Sequence, residues 1–362
     1  MMTIVRQKYE GDPMGWEMLL NEAFEFNSKF SNSEAKILVA GIGGAGCNTI
    51  NTLSTLNLSG VDLLAINTDK VSIERSRADK KLLLGKRYVN GQSTSGNIEL
   101  GQMIAESSIT EIKEMLDGYD IIFILAGLGG GSGGGIGPVV AQQAKLNKKS
   151  LVVSIVTLPF KAEGKRKMEI ASVSLEKFYQ NSNTVIVLEN DRLLNIVPNL
   201  PLEKAFKIMD FLISDIIRNI SDAINKPSMI HIDFADLLKI MKNGGTSTVM
   251  YGEGEINGLN ELVNETLKNK FYNVDHTSAD GALINIVTGP HMSLSMMNEL
   301  VEKLTEGMDD EAEKKVGIRI EQDLSTKVRV TAIFTNVKYL GRVREVELVK
   351  ESSFAGVDPL FP

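Results

Sequence analysis

Two rhythms of apolar residues alternate along this chain. From residue 36, short runs dominated by Ile, Val and Leu recur as KILVAG (36–41), DLLAIN (62–67), DIIFILAG (120–127), SLVVSIV (150–156) and TVIVLEN (184–190). A run apolar on both faces is what a parallel strand covered by helices requires. Between the runs the spacing shifts to the helical repeat, as over 109–116, so the pattern predicts a βαβ succession and a Rossmann-like, doubly wound α/β sheet. Apolar residues at 202, 206, 209, 213, 216, 220 and 223 then keep helical spacing for about six turns, or roughly 36 Å. Ala205, Ile208, Phe211, Leu212, Ile217 and Ile224 widen that stripe around most of the circumference, which predicts a long central helix sandwiched between two domains. Beyond it, strands at 281–288 and 327–334 and a helix at 293–306 predict an α+β second domain. Trp16, Leu19, Leu20, Ala23 and Phe24 recur at helical spacing ahead of the first strand. The expected division is an N-terminal helical extension (1–33), a nucleotide-type α/β domain including the central helix (34–226), the α+β domain (227–337) and a tail (338–362).

Composition narrows the classes of partner. A chain of 362 residues, 43% apolar, is long enough for two domains with full cores and needs no disulfide or zinc staple. The formal net charge of −7 argues against non-specific nucleic-acid binding, which needs many cations to displace counterions. The single cysteine, Cys47, has no partner within the chain and points to a reducing, cytoplasmic setting. The first residues mix charge with apolar positions and lack the apolar core of a signal peptide. Residues 121–144 carry no charge and have the length to span a bilayer, but eight glycines and Pro138 within them favour strand, turn and helix start over direct membrane insertion. The tail ends in the apolar FAGVDPLFP, either a frayed terminus or a tip for a partner.

Glycine changes the picture most. Of 32 glycines, 12 fall in two runs, at 41–46 and 127–137, each directly after an expected strand. The first reads G-x-G-x-x-G at Gly41, Gly43 and Gly46, a turn that brings backbone N–H groups and a helix N-terminus to phosphate. Alone it fits a dinucleotide oxidoreductase equally well, with Asp62 or Asp69 as the ribose acid. The second run, GLGGGSGGGIGP, supplies another anion-binding nest with the Ser132 hydroxyl inside it. A dinucleotide enzyme has no need of this second nest, whereas a triphosphate with its metal requires many donors around one anion. No G-x-x-x-x-G-K-[ST] occurs, so a P-loop is excluded.

At these residues the chain resembles the FtsZ/tubulin family of GTPases, in its prokaryotic, archaeal-like FtsZ branch. GGGSGGG (129–135) matches the family's GGGTGTG, and GIGGAGCN (41–48), AINTD (65–69), PFKAEGKRK (159–167), END (189–191), IVPNLPL (196–202), DFAD (233–236) and NGGTS (243–247) follow in the family's order. The resemblance implies GTP or GDP as ligand, with Mg2+ bound mainly through the phosphates. It places Gly43, Gly44, Ala45, Gly46, Cys47 and Asn48 around the α- and β-phosphates, with Asp69 nearby, and Gly130, Gly131, Ser132, Gly133 and Gly134 around the β-phosphate. Glu163 would take the ribose hydroxyls, Lys167 would neutralise phosphate, and Asn190 would face guanine or ribose. Phe206 and Asp210 stand i, i+4 on the central helix, so a ring to stack on the base and a carboxylate for guanine N1–H and the 2-amino group share one face. It further implies head-to-tail assembly, with Asp233 and Asp236 of one subunit completing the hydrolytic site of the next, and a tail that meets a membrane-tethering adaptor protein. The implied role is a cell-division ring.

Four departures touch chemistry. The family's γ-phosphate loop GLGAGGNPEVG reads GQSTSGNIELG (91–101), with Ser93, Thr94 and Ser95 in place of smaller residues. Ser132 replaces the signature threonine and Gly134 the next polar position, Lys167 stands where arginine is usual, and His231 where asparagine is usual. A lysine loses the bidentate fork of arginine. Both aspartates remain, so hydrolysis is expected; the alternative is a paralogue that forms a GTP-bound scaffold or shape-determining filament with slow turnover.

Overall fold

The computed structural model describes residues 35–340, except 57, 59, 227, 243–244 and 269–271 and the side chains of 195, 196 and 202. The helical spacing at 16–24 and the apolar end 354–362 lie outside the described residues. The apolar runs form β1 (Ile37–Ile42), β2 (Val61–Asn67), β4 (Ile121–Gly127), β5 (Leu151–Leu158) and β6 (Thr184–Glu189). A further short strand, β3 (Lys80–Leu83), lies at the edge. Its sequence KKLL is too short and too charged to show as a buried run, and an edge position favours such lysines.

The first six strands are parallel in the order β3-β2-β1-β4-β5-β6. Strand order reverses between β1 and β4, and in open α/β sheets ligands bind at the carboxyl ends beside such a switch point. Register pairs Ile42 with Ala126, so the two strands end side by side and both glycine runs begin there.

Helices α1 (Gly43–Leu53), α2 (Lys70–Arg75), α3 (Lys86–Val89), α4 (Ile98–Glu106), α5 (Ile109–Leu116), α6 (Gly137–Leu146), α7 (Lys165–Asn181) and α8 (Arg192–Ile196) fill the connections. Alternate residues of β1 and β4 point to opposite faces. Leu38, Ala40, Ile122 and Ile124 join one buried core with Ile104, Ile112, Val140 and Phe178 from the helices. Ile37, Val39, Phe123 and Leu125 join the other with Ile50 of α1 and the central helix α9 (Leu202–Asn225).

Along α9, Met209, Ile213, Ile216, Ile217, Ile220 and Ile224 are buried in that core, which continues into Leu283 and Ile333 of the second domain. The helix therefore carries one core across both domains. Its stripe is narrower than expected: Phe206 is 40% and Phe211 50% exposed, because α1 and the sheet occupy only one side of the helix.

After α10 (Phe234–Met241), the second domain adds β7 (Thr246–Glu255), α11 (Leu259–Leu267), β8 (Val274–Asp275), β9 (Gly281–Thr288), α12 (Leu294–Leu304), β10 (Glu313–Ile320) and β11 (Lys327–Thr335). Its strands run β10-β9-β11-β7, and β7 pairs parallel with β6 through Val185–Thr246 and Ile186–Ser247, so ten strands form one continuous mixed sheet. Lys338 and Tyr339, expected to open the tail, form β12 and pair with β8, with the Tyr339 ring stacked 4.9 Å from Tyr272. Residues 121–144 divide into β4, a turn and most of α6, and no helix among the described residues is long and apolar enough to cross a membrane.

Candidate functional site

The two glycine runs turn at the carboxyl ends of β1 and β4 and divide by what each glycine faces. A Cβ on Gly41 would lie 2.4 Å from the Gly46 carbonyl oxygen, on Gly46 2.5 Å from that of Leu125, and on Gly133 2.3 Å from that of Gly127. These residues let α1 and the second turn press directly on the strand ends. A Cβ on Gly44 or Gly130 would meet nothing within 4 Å. Those two therefore border an open cleft, one from each run.

Helix α1 starts at Gly43 itself, inside the first glycine run, and Ile42 offers its first turn no side-chain cap. The leading N–H groups of such a helix have no intrahelical acceptor, and the dipole places partial positive charge there. Gly44, Ala45 and Asn48 are exposed at this end, whereas Gly43, Gly46 and Cys47 are buried. Cys47 faces inward, 3.9 Å from the Gly41 carbonyl and 4.0 Å from the Asn67 amide, and burial pushes its thiol up to about 11. It is a neutral spacer, so only its backbone is available to a ligand.

The second run is helical rather than an open loop: Ser132–Ile136 make one π-type turn leading into α6. Such turns recur at functional sites. Gly131 and Gly134 are buried, and the Gly134 N–H is committed to the Gly130 carbonyl at 3.1 Å. Ser132 remains half-exposed, and its hydroxyl lies 3.3 Å from both Thr68 Oγ1 and Thr94 Oγ1. Asp69 caps α2, accepting from the Val71 and Ser72 N–H groups and from the Ser72 hydroxyl at 2.5 Å. Hydrogen bonding from Ser72 holds its carboxyl below the usual range.

On the other wall, Glu163 accepts from the Phe160 N–H and from Lys167 Nζ, both at 2.8 Å. Burial works against the Glu163 carboxylate, but these bonds hold its pKa below the usual value. Glu163 and Lys167 thus engage each other across one turn. Asn190, buried at the end of β6, stands between Glu189 and Asp191; Asp191 in turn accepts from the Lys161 N–H and fixes the 159–167 loop. The Phe206 ring meets Phe160 edge to face, 5.7 Å between centroids. Asp210 accepts a 2.6 Å hydrogen bond from Thr49 Oγ1 of α1; burial raises its pKa and this bond lowers it, with a net rise. A carboxylate held beside an exposed ring at the edge of a donor-lined cleft suits a planar base bearing N–H donors.

Asp233 and Asp236 are not brought to this cleft. Between Asp210 and the end of α9 lie about 22 Å of helix, and the acidic turn follows beyond. Asp233 caps α10 by accepting from the Asp236 N–H at 2.7 Å, and Asp236 pairs with Lys315 at 2.7 Å, which raises the lysine's pKa. His231 is exposed beside them. Thr49, Thr68 and Phe160 escaped the sequence reading as site residues, and Thr94 entered it only as a departure in the 91–101 loop. Thr68 lies within AINTD and Phe160 within PFKAEG, so motif membership was their one signal; Thr49 carried none.

Residues 36–198 match the Tubulin/FtsZ family GTPase domain and residues 245–338 the FtsZ family C-terminal domain. Over 337 residues, 91% of this chain and 83% of the relative, the sequence is 38% identical to cell division protein FtsZ 2 of Pyrococcus furiosus. An empty FtsZ dimer from M. jannaschii superposes with TM-score 0.76 at 36% identity, covering 89% of this chain and 92% of that one. A GTPγS-bound CetZ2 protofilament from Haloferax volcanii shares the fold, with TM-score 0.74 at 23% identity over 84% of this chain and 93% of that one.

Proposed function

This chain belongs to the tubulin/FtsZ family of GTPases, and we propose that it holds GTP or GDP across the carboxyl ends of β1 and β4 and polymerises head to tail, building a cell-division filament. Gly44, Ala45, Asn48, Gly130 and Ser132 would meet the phosphates, Glu163 and Asn190 the ribose and base edge, and Phe206 and Asp210 the guanine ring. Lys167 would leave Glu163 for phosphate when nucleotide enters. Among the described residues no group of three or more His, Cys, Asp or Glu is placed to hold a metal ion; in this reading a Mg2+ ion would take its ligands mainly from the phosphates and water.

The observation that carries the reading is the separation of the cleft from Asp233 and Asp236 along α9. One subunit then lacks the carboxylates that orient or activate the attacking water, and a neighbour stacked head to tail supplies them. A contact of that kind does not close on itself and generates filaments. GTP turnover measured against protein concentration tests it: turnover per subunit rises above a threshold, and Asp236→Ala abolishes phosphate release while nucleotide binding survives. Turnover per subunit that is independent of concentration overturns the shared site.

A second reading, a GTP-bound scaffold with slow hydrolysis, is favoured by the Asp236–Lys315 pair, which occupies one of the two carboxylates. Assembly with GTP but no phosphate release by the unmodified chain would select it.

A further inference from the structure

Ser132 does not stand alone in the second turn. Three hydroxyls from three separate segments meet there: Thr68 at the end of β2, Thr94 in the 91–101 loop, and Ser132 between them at 3.3 Å from each. Thr68 is 0% and Thr94 3% exposed, whereas Ser132 remains half-exposed. Neither threonine hydroxyl makes another side-chain hydrogen bond among the described residues.

A count of protons limits the arrangements that leave a donor for a ligand. Each hydroxyl has one O–H and two acceptor sites. Two contacts use two of the three protons, leaving one for an outside acceptor. Only Ser132 borders the cleft, so the spare proton serves a ligand only if both threonines donate into the two lone pairs of Ser132 and Ser132 donates outward. Donors feeding a hydroxyl polarise it and strengthen the bond it makes. Both contacts, at 3.3 Å, exceed the usual ~2.7 Å for paired hydroxyls, so each is a weak bond that orients the Ser132 hydroxyl without locking it.

The loop is built to hold Thr94 in place. Its carbonyl accepts from the Asn97 N–H at 2.9 Å, and between them Ser95 and Gly96 take φ of 50° and 83°. Ser95 thus stands in a left-handed conformation that costs a non-glycine residue about 1–2 kcal/mol. Gly131 packs so tightly here that a Cβ would lie 2.3 Å from Thr94 Oγ1 and 2.5 Å from the Asn97 carbonyl. Loop and turn are therefore clamped together through Thr94.

Resting on the assignment of Ser132 to the phosphate wall, we propose that Thr94 is a positioning residue which, with Thr68, aims the Ser132 hydroxyl at the bound nucleotide's phosphate. Thr94 touches no ligand itself and acts through Ser132 alone.

A double-mutant cycle on the full chain, read as equilibrium GDP and GTP affinity, tests this. Thr94→Val keeps the shape and loses the hydroxyl; it weakens both nucleotides about three- to tenfold, while Thr94→Ser restores binding. In a Ser132→Ala background Thr94→Val has no further effect. If Thr94→Val fails to fold, Thr94→Ala completes the same cycle. A full Thr94 effect that persists without the Ser132 hydroxyl, or no Thr94 effect where Ser132→Ala weakens binding, overturns the proposal. Unchanged affinity in Ser132→Ala overturns the underlying assignment instead.

Discussion

Burial of Asp210 weakens the empty fold, a cost that its proposed place at the guanine edge would account for. Its folded pKa lies above the ordinary 3.8 because burial outweighs the Thr49 hydrogen bond. The native state therefore binds more protons than the unfolded chain between the two values, and stability falls as pH rises through that window. The cost is fully present once the carboxyl is ionised. Asp210→Asn removes it while the amide oxygen still accepts from Thr49. In thermal melts without nucleotide the variant should have a higher Tm than the parent at pH 7, with the difference shrinking towards pH 4. GTP affinity should drop about 10- to 100-fold if Asp210 makes the proposed charge-assisted hydrogen bond to the base. A lower Tm at neutral pH would mean that the carboxylate stabilises the empty protein.

At the scale of elements, the glycine-rich turns perform two distinct tasks, and substitution separates them. Gly44→Ala adds a methyl group to open space in a helix, where alanine is favoured by about 0.5–1 kcal/mol, so Tm holds or rises. The same methyl stands where phosphate would approach, and a misfit of the kind that costs about 1–3 kcal/mol in packed interiors should lower GTP affinity. Gly133→Ala instead forces a Cβ against the Gly127 carbonyl and should unfold at lower temperature with or without nucleotide. Calorimetry alongside nucleotide titration distinguishes the two, and equal destabilisation by both variants would refute the division. The sequence displayed the runs as one class because spacing reports where glycines fall, not what each faces. The same limit explains the rest of the reading. Strands buried on both faces, such as β1, β4 and β9, were legible to within a few residues, as was α9. The edge strand β3 and the charge-bearing β7 and β10 lack a continuous apolar run and became visible only through pairing. Side chains that act across sequence distance, Thr49 on Asp210 and Thr94 on Ser132, needed the fold to bring them together.

At the scale of the whole molecule, two strand contacts join the shared α9 core in holding the second domain to the first. One is the β6–β7 pairing that makes the sheet continuous. The other is β12, where Tyr339 stacks on Tyr272 and donates to Glu189 Oε1 at 2.5 Å, while Arg192 Nε holds the other carboxylate oxygen at 3.0 Å. Burial, then the hydrogen bond to Glu189 and its charge, raise the Tyr339 pKa well above the phenol's ordinary value, so it remains a donor at physiological pH. Glu189 adjoins Asn190, which places the end of the second domain one residue from the proposed nucleotide wall. Tyr339→Phe deletes this bond but leaves the ring stack in place. It should cost about 1–2 kcal/mol, less than an isolated buried charge would suffer because Arg192 still pairs with Glu189. Scanning calorimetry should record one transition, lowered by a few degrees, because the continuous sheet still couples the two domains. Two resolved transitions would instead locate the mechanical link between the domains in the Tyr339 contact, with the β6–β7 pairing and the shared α9 core insufficient to carry cooperativity without it.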